Sequence, residues 1–313
     1  MKTLTRFALL AVTLATPLAL SAKIIRHVDK TFVVQPGGHL KATTQGGDIV
    51  IKTADVAEVR IRAKQVIRAN SEQEADEILS KLDLTMEQNG NDVTAESKYE
   101  KRGPGTWFGS WPPVNVSFEV TVPKNYHLNL NTSGGNIEVA SVTGNVRART
   151  SGGDLKFAKV DGDIDAGTSG GNIVLNEGTA RAKLNTSGGD IHVERAGGPT
   201  EVSTSGGNIE LDSVANLISA TTSGGDVRAV ITGPLTQDTL LSTSGGEVDV
   251  KVAKGTGFQL DASTSGGDVR ADGLTITIEK GGSGKSRLSG AVNGGGPRLK
   301  LRSSGGDVTI RAS

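Results

Sequence analysis

Asp226, Glu247 and Asp268 each follow a Ser-Gly-Gly tripeptide, and each stands twenty-one residues from the next. If equal spacing means equal position in a repeating fold, three carboxylates stack at one corner. Such an all-oxygen set suits a hard cation. The competing reading is that the three-residue insertions in these repeats splay the groups into solvent.

The second chemically distinctive stretch is "YEKRGPGTWFGSWPPVNV". It gathers Trp107, Phe108 and Trp111, including both tryptophans of the chain, in a Gly/Pro-rich loop beside Arg102. Aromatic rings and an arginine on an exposed loop can hold a ligand such as a sugar or anchor a protein interface. The same rings folding back onto their own domain is the plainer alternative.

Other motifs fail on their spacing. "GGSGKS", from Gly281 to Ser286, resembles the end of a phosphate-binding loop, but the full pattern needs a glycine where Glu279 stands. "GTSGG", from Gly167 to Gly171, fits a nucleophile-elbow pattern, yet Ser169 is one of a row of equivalent serines that lack the preceding glycine. His27, His39, His127 and His192 are scattered, with no sequence partner for a metal or a Ser-His-Asp arrangement. No cysteine is present, so neither disulfides nor thiolate metal cages contribute. The reading is of a protein with no cofactor and no catalytic residues.

What positions these residues is a repeat. Ser-Gly-Gly begins at Ser133, Ser151, Ser169, Ser187, Ser205 and Ser223 at eighteen-residue intervals, then at Ser244, Ser265 and Ser304. Each eighteen divides into two nonapeptides such as "GGNIEVASV" and "TGNVRARTS". Ile137 and Val139 alternate with Glu138, and Val146 and Ala148 with Arg147, which is the period of a strand with one face buried. One unit buries too few apolar groups to offset the entropy of ordering eighteen residues, so units must stack. The glycines are expected to supply positive φ at the corners.

Stacking makes residues eighteen apart into neighbours. One outward row reads Arg147, Asp165, Lys183, Glu201, Ser219; another reads Glu138, Lys156, Val174, His192, Glu210, Arg228, then Asp249 and Arg270. Signs alternate, as parallel in-register stacking requires. The corner row Asn136, Asp154, Asn172, Asp190, Asn208, Asp226 alternates amide with carboxylate, each Asn NH2 being placed to donate to its acidic neighbours. Its regularity argues for structural ladders over catalytic acids. A calcium β-roll has the same dimensions, but Ile137 and Val139 occupy the positions where its ligands would stand.

The expected fold is therefore all-β: a parallel β-solenoid with two short strands per eighteen-residue coil, behind an N-terminal mostly-β or α+β cap with one helix. Residues 1–22 have the layout of a signal peptide, with Lys2 and Arg6 before an apolar run. Residues 23–125 form the cap, with a helix over about 71–82 announced by the Ser71-x-x-Glu74 box. Residues 126–313 form the coils, with a protruding hairpin over about 275–298. Lys+Arg and Asp+Glu both number 34, which argues against a nucleic-acid partner. No segment of the mature chain is apolar enough to span a membrane.

The signal peptide, the "VTVPKNYHLNLNTSGGNIEV" lead-in and the recurrent "TSGGDV" coils together resemble the bacterial putative-adhesin family of exported β-strand-repeat proteins, a domain family of unknown function. The resemblance implies a β-solenoid and a periplasmic, cell-surface or extracellular role in the cell envelope. The resulting expectation is a secreted, non-enzymatic scaffold or recognition protein whose partner is a glycan or an envelope or surface protein, with edge-to-edge self-association open to it. The alternative is a carbohydrate-active enzyme working along a solenoid face.

Overall fold

The computed structural model describes residues 23–100 and 112–313. First come β1 (Lys23–Val33), β2 (His39–Thr44), β3 (Ile49–Ala54), β4 (Glu58–Arg68), α1 (Glu72–Leu79), β5 (Leu82–Asn89), β6 (Asp92–Tyr99), β7 (Val114–Pro123) and β8 (His127–Thr132). The regular repeats supply β9 (Ile137–Val139), β10 (Val142–Thr143), β11 (Val146–Arg149), β12 (Leu155–Asp161), β13 (Ile164–Gly167), β14 (Ile173–Gly178), β15 (Ala182–Asn185), β16 (Ile191–Ser203), β17 (Ile209–Thr221), β18 (Val227–Ile231), β19 (Thr239–Ser242) and β20 (Val248–Val252). Then follow β21 (Phe258–Thr264), β22 (Val269–Asp272), β23 (Ile276–Gly284), β24 (Arg287–Val292), β25 (Arg298–Ser303) and β26 (Val308–Ala312). The fold is all-β with one helix.

Eighteen residues of sequence become one step in space. Leu155 pairs with Ile137, Lys156 with Glu138, Arg147 with Asp165 and Asp165 with Lys183, all in parallel register. Two faces result. On the first, β8, β11, β13, β15, the later halves of β16 and β17, and β19 follow one another; on the second, β9, β12, β14, the earlier halves of β16 and β17, β18 and β20 do. Alternate side chains point between the faces, so Ile137, Leu155, Ile173, Ile191, Ile209 and Val227 form one buried column of a continuous core.

The corners explain the tripeptide. A Cβ on Gly153 would lie 2.0 Å from the carbonyl oxygen of Gly135 in the neighbouring coil, and the same clash recurs at Gly171, Gly189 and Gly207. These glycines are not in the positive-φ region, contrary to the expectation from sequence; their role is to let two backbones approach. Positive φ belongs to the opposite corner, at Gly144 (141°) and Gly162 (157°). The residue before each tripeptide, threonine everywhere but at Ser303, is buried: Thr150 Oγ1 donates to Gly135 O at 2.9 Å and accepts from its own Gly153 N–H at 3.3 Å.

The Asn/Asp row is a ladder of a different kind from the one expected. Asp154 N–H donates to Asn136 Oδ1 at 2.8 Å, Asn172 N–H to Asp154 Oδ1 at 2.7 Å, and Asp190 N–H to Asn172 Oδ1 at 2.8 Å. The side-chain oxygen of each coil accepts a backbone amide of the next, a role that amide and carboxylate fill equally well.

Both ends of the stack depart from chain order. At the N-terminal end β2 lies between β6 and β8, and β3 between β7 and β9, all parallel. The "TTQGGDIVIK" repeat is therefore a coil of the stack. Beyond it the strands turn antiparallel: β5 against β6, β4 against β7, β1 against β4. Helix α1 is shorter than the sequence suggests, because Leu82 already begins β5. Ser71 caps it by accepting Glu74 N–H, and Arg26 of β1 holds Glu72 and Asp76 at 2.6 Å each.

At the other end β25 lies between β19 and β21, and β26 between β20 and β22. The excursion at 275–298 is a hairpin, β23 with β24, that folds back so that β24 pairs antiparallel with β21. Arg270 accordingly has Thr309, not Asp249, as its neighbour.

Candidate functional site

On the first face, at the N-terminal end, β6, β2, β8, β11, β13 and β15 form the floor of a groove of about 750 Å3. Its floor residues alternate in the usual way: Leu40, Leu128, Val146 and Ile164 face the core, while Lys41, Asn129, Arg147, Asp165 and Lys183 face out. Six strands at about 4.8 Å spacing make the groove roughly 24 Å long.

One wall is a second corner ladder. His39 N–H donates to Asp92 Oδ1 at 3.0 Å, Asn145 N–H to His127 Nδ1 at 3.0 Å, Asp163 N–H to Asn145 Oδ1 at 3.0 Å, and Arg181 N–H to Asp163 Oδ1 at 3.2 Å. His39 and His127 are therefore neighbours, their rings stacked with centroids 4.7 Å apart. Sequence reading missed this pair because 88 residues separate them. The signal that reveals it is the repeated His-Leu in "HLKATTQGGDIVI" and "HLNLNTSGGNIEV", which marks the two as one repeat position.

The charges of the groove divide into paired and free. Lys41 faces Glu96 at 3.4 Å, Arg181 faces Glu201 at 2.6 Å, and Arg149 takes Asp165 at 2.6 Å. The Arg149 side chain lies across Gly167, 3.4 Å from where a Cβ would be, in ordinary van der Waals contact. Arg147 and Lys183, on either side of Asp165 in register, have no carboxylate partner among the described residues.

His39 Nδ1 stands 3.0 Å from Asp92 Oδ1, the orienting half of a hydrolytic triad. Among the described residues that line the groove there is no serine or cysteine to serve as nucleophile. Beneath this wall Tyr126 is fully buried and donates to Asn91 O at 2.6 Å; burial, with the Asp92 charge adding to it, pushes its phenol up to about 12.

Asp226 and Glu247 are adjacent, Glu247 N–H donating to Asp226 Oδ1 at 2.9 Å. Asp268, however, is separated from Glu247 by the interposed coil: its N–H donates to Asp307 Oδ1 at 2.9 Å. The three are thus not one contiguous stack, because chain order is not spatial order here. Cations already stand at this corner: Arg228 on Asp226 at 2.9 Å, Arg270 on Asp307 at 2.9 Å, and Lys285 on Asp268 at 3.5 Å. The Asp268 amide, with Arg270 beside it, holds the Asp307 carboxyl below the usual carboxylate range. Arg102, Trp107, Phe108 and Trp111 lie outside the described residues.

His192, Glu210 and Asp212 offer ligand atoms within 4.8 Å of one another, on the second face. His192 Nδ1 faces Glu210 and Nε2 faces Asp212, each at 3.4 Å.

Among curated proteins none matches the chain significantly. Among solved structures, a putative adhesin from Parabacteroides distasonis is 13% identical, with 92% of this chain and 97% of that chain covered at a TM-score of 0.46. A putative adhesin from Bacteroides fragilis is 12% identical, with 92% and 97% covered at 0.40, and a putative lipid binding protein from Parabacteroides distasonis 14%, with 92% and 96% covered at 0.41. No described helix is long and apolar enough to cross a membrane. The Toastrack DUF4097 family model matches residues 38–311, from the residue before β2 to the penultimate residue of β26. That span takes in every coil and both interposed strand pairs, and the chain belongs to the Toastrack DUF4097 family.

Proposed function

We propose that this is an exported, non-enzymatic recognition protein of the cell envelope, and that the groove over β2, β8 and β11 is its ligand surface. The observation that carries the reading is the pairing pattern within the groove. Ladder hydrogen bonds fix the wall, while Arg147 and Lys183, on a parallel floor, form no salt bridge among the described residues, the acids beside them being taken by Arg149 and Arg181. Rigid, outward-facing polar groups bind without a large ordering cost. Export is supported by the signal-peptide layout of residues 1–22.

The test is a glycan and envelope-fraction panel probed with the protein and with Asn129→Trp, which places an indole on the exposed floor without disturbing the core. Binding that the tryptophan abolishes is expected. Binding indifferent to it would move the ligand surface elsewhere.

A further inference from the structure

We infer that the groove takes an acidic polysaccharide, a carboxylated glycan chain lying along the stacking axis; this rests on the groove being the ligand surface. The argument starts with the two histidines. A backbone amide can only donate, so His127 Nδ1, which accepts Asn145 N–H, is unprotonated and the neutral ring carries its hydrogen on Nε2. His39 Nδ1 faces a carboxylate oxygen, so its hydrogen sits on Nδ1, and in the neutral ring Nε2 is left to accept. Stacked 4.7 Å apart, the rings present one donor and one acceptor side by side, the complement of a pair of sugar hydroxyls.

Arg147 and Lys183 supply the charge. They stand two strands apart in one outward row, with Asp165 between them neutralised by Arg149. Two cations about 10 Å apart in one row suit a polymer whose carboxylates recur along its length better than a single small anion.

The same face argues against a peptide. All strands from β2 to β13 on the groove floor are paired on both sides, so no edge is free for strand addition. Among the described residues the exposed large apolar ones, Ile25, Val28, Val33 and Ile278, lie on β1 and β23, and none of them lines the groove.

The experiment titrates the full chain with polygalacturonate, alginate, neutral dextran and poly-L-glutamate by calorimetry. The acidic glycans should bind at least about tenfold more tightly than dextran or poly-L-glutamate. Arg147→Gln with Lys183→Gln should weaken that binding at least about tenfold while moving the thermal midpoint little, since among the described residues neither side chain forms a salt bridge and both are exposed. Equal binding of dextran, blocked by Asn129→Trp, would overturn the acidic class and leave the groove standing. Preference for poly-L-glutamate, or no binding of either acidic glycan, would overturn the inference. Acidic-glycan binding untouched by Asn129→Trp and by the double variant would overturn both it and the groove.

Discussion

Asp154 Oδ1 accepts the backbone N–H of Asn172 from the next coil at 2.7 Å. The bond needs an acceptor at the right reach and nothing more. Asp154→Asn should therefore change stability by less than about 0.5 kcal/mol, whereas Asp154→Val, which leaves the amide without its acceptor, should cost about 1 kcal/mol. Urea titrations of the two variants separate this ladder from one built on Asn-to-carboxylate donation, in which Asp154→Asn would be the damaging change.

Gly152 and Gly153 are adjacent and predicted to respond oppositely. A methyl on Gly153 meets Gly135 O at 2.0 Å, and that oxygen belongs to backbone held on both sides. A methyl on Gly152 has 3.7 Å to its nearest neighbour. Gly153→Ala should cost about 3 kcal/mol or more, and Gly152→Ala under about 1 kcal/mol, by thermal or denaturant unfolding.

Ile173 is fully buried, while Val174 beside it lies in the outward row between Lys156 and His192. Asp at 173 strands a charge inside the stack and should cost about 4 kcal/mol or more. Asp at 174 joins a row flanked by a lysine and a histidine and should stay within about 0.5 kcal/mol. Equal shifts in melting temperature would contradict the assignment of faces.

Tyr126 gives the fold an alkaline limit. Its folded-state pKa of about 12 lies above the ordinary value of 10.0, so the fold favours the neutral phenol. That contribution is complete below pH 10 and is lost as pH climbs from 10 towards 12. Tyr126→Phe should remove this part of the alkaline loss, at a cost of about 1 kcal/mol at neutral pH for the bond to Asn91 O. Melting temperature followed from pH 8 to 12 in both proteins checks it.

The stacking of Lys156 on Glu138 is legible in the sequence because a constant interval converts arithmetic into contact wherever neighbouring coils are also consecutive in the chain. The same arithmetic fails at Asp268. Its neighbour is Asp307, 39 residues later, and no local propensity records that a segment is inserted out of order. The glycines are visible as a pattern, but their reason is a contact between coils, so local turn chemistry points to the wrong cause. The groove is hidden for the first of these reasons: His39 meets His127 only because β2 is inserted between β6 and β8.

The insertion of β25 and β26 ahead of β21 and β22 bears on how the molecule assembles. A repeat stack grows by zippering, each new rung adding to the last in the order it is made. Here the rung carrying β21 and β22 has nowhere to dock until forty further residues have arrived to bridge it to β19 and β20. The last two rungs of the stack must therefore close as a single late step, with the high loop-closure cost of distant contacts. A chain cut short before β25 would carry an unfilled slot where a finished one has a sealed tip.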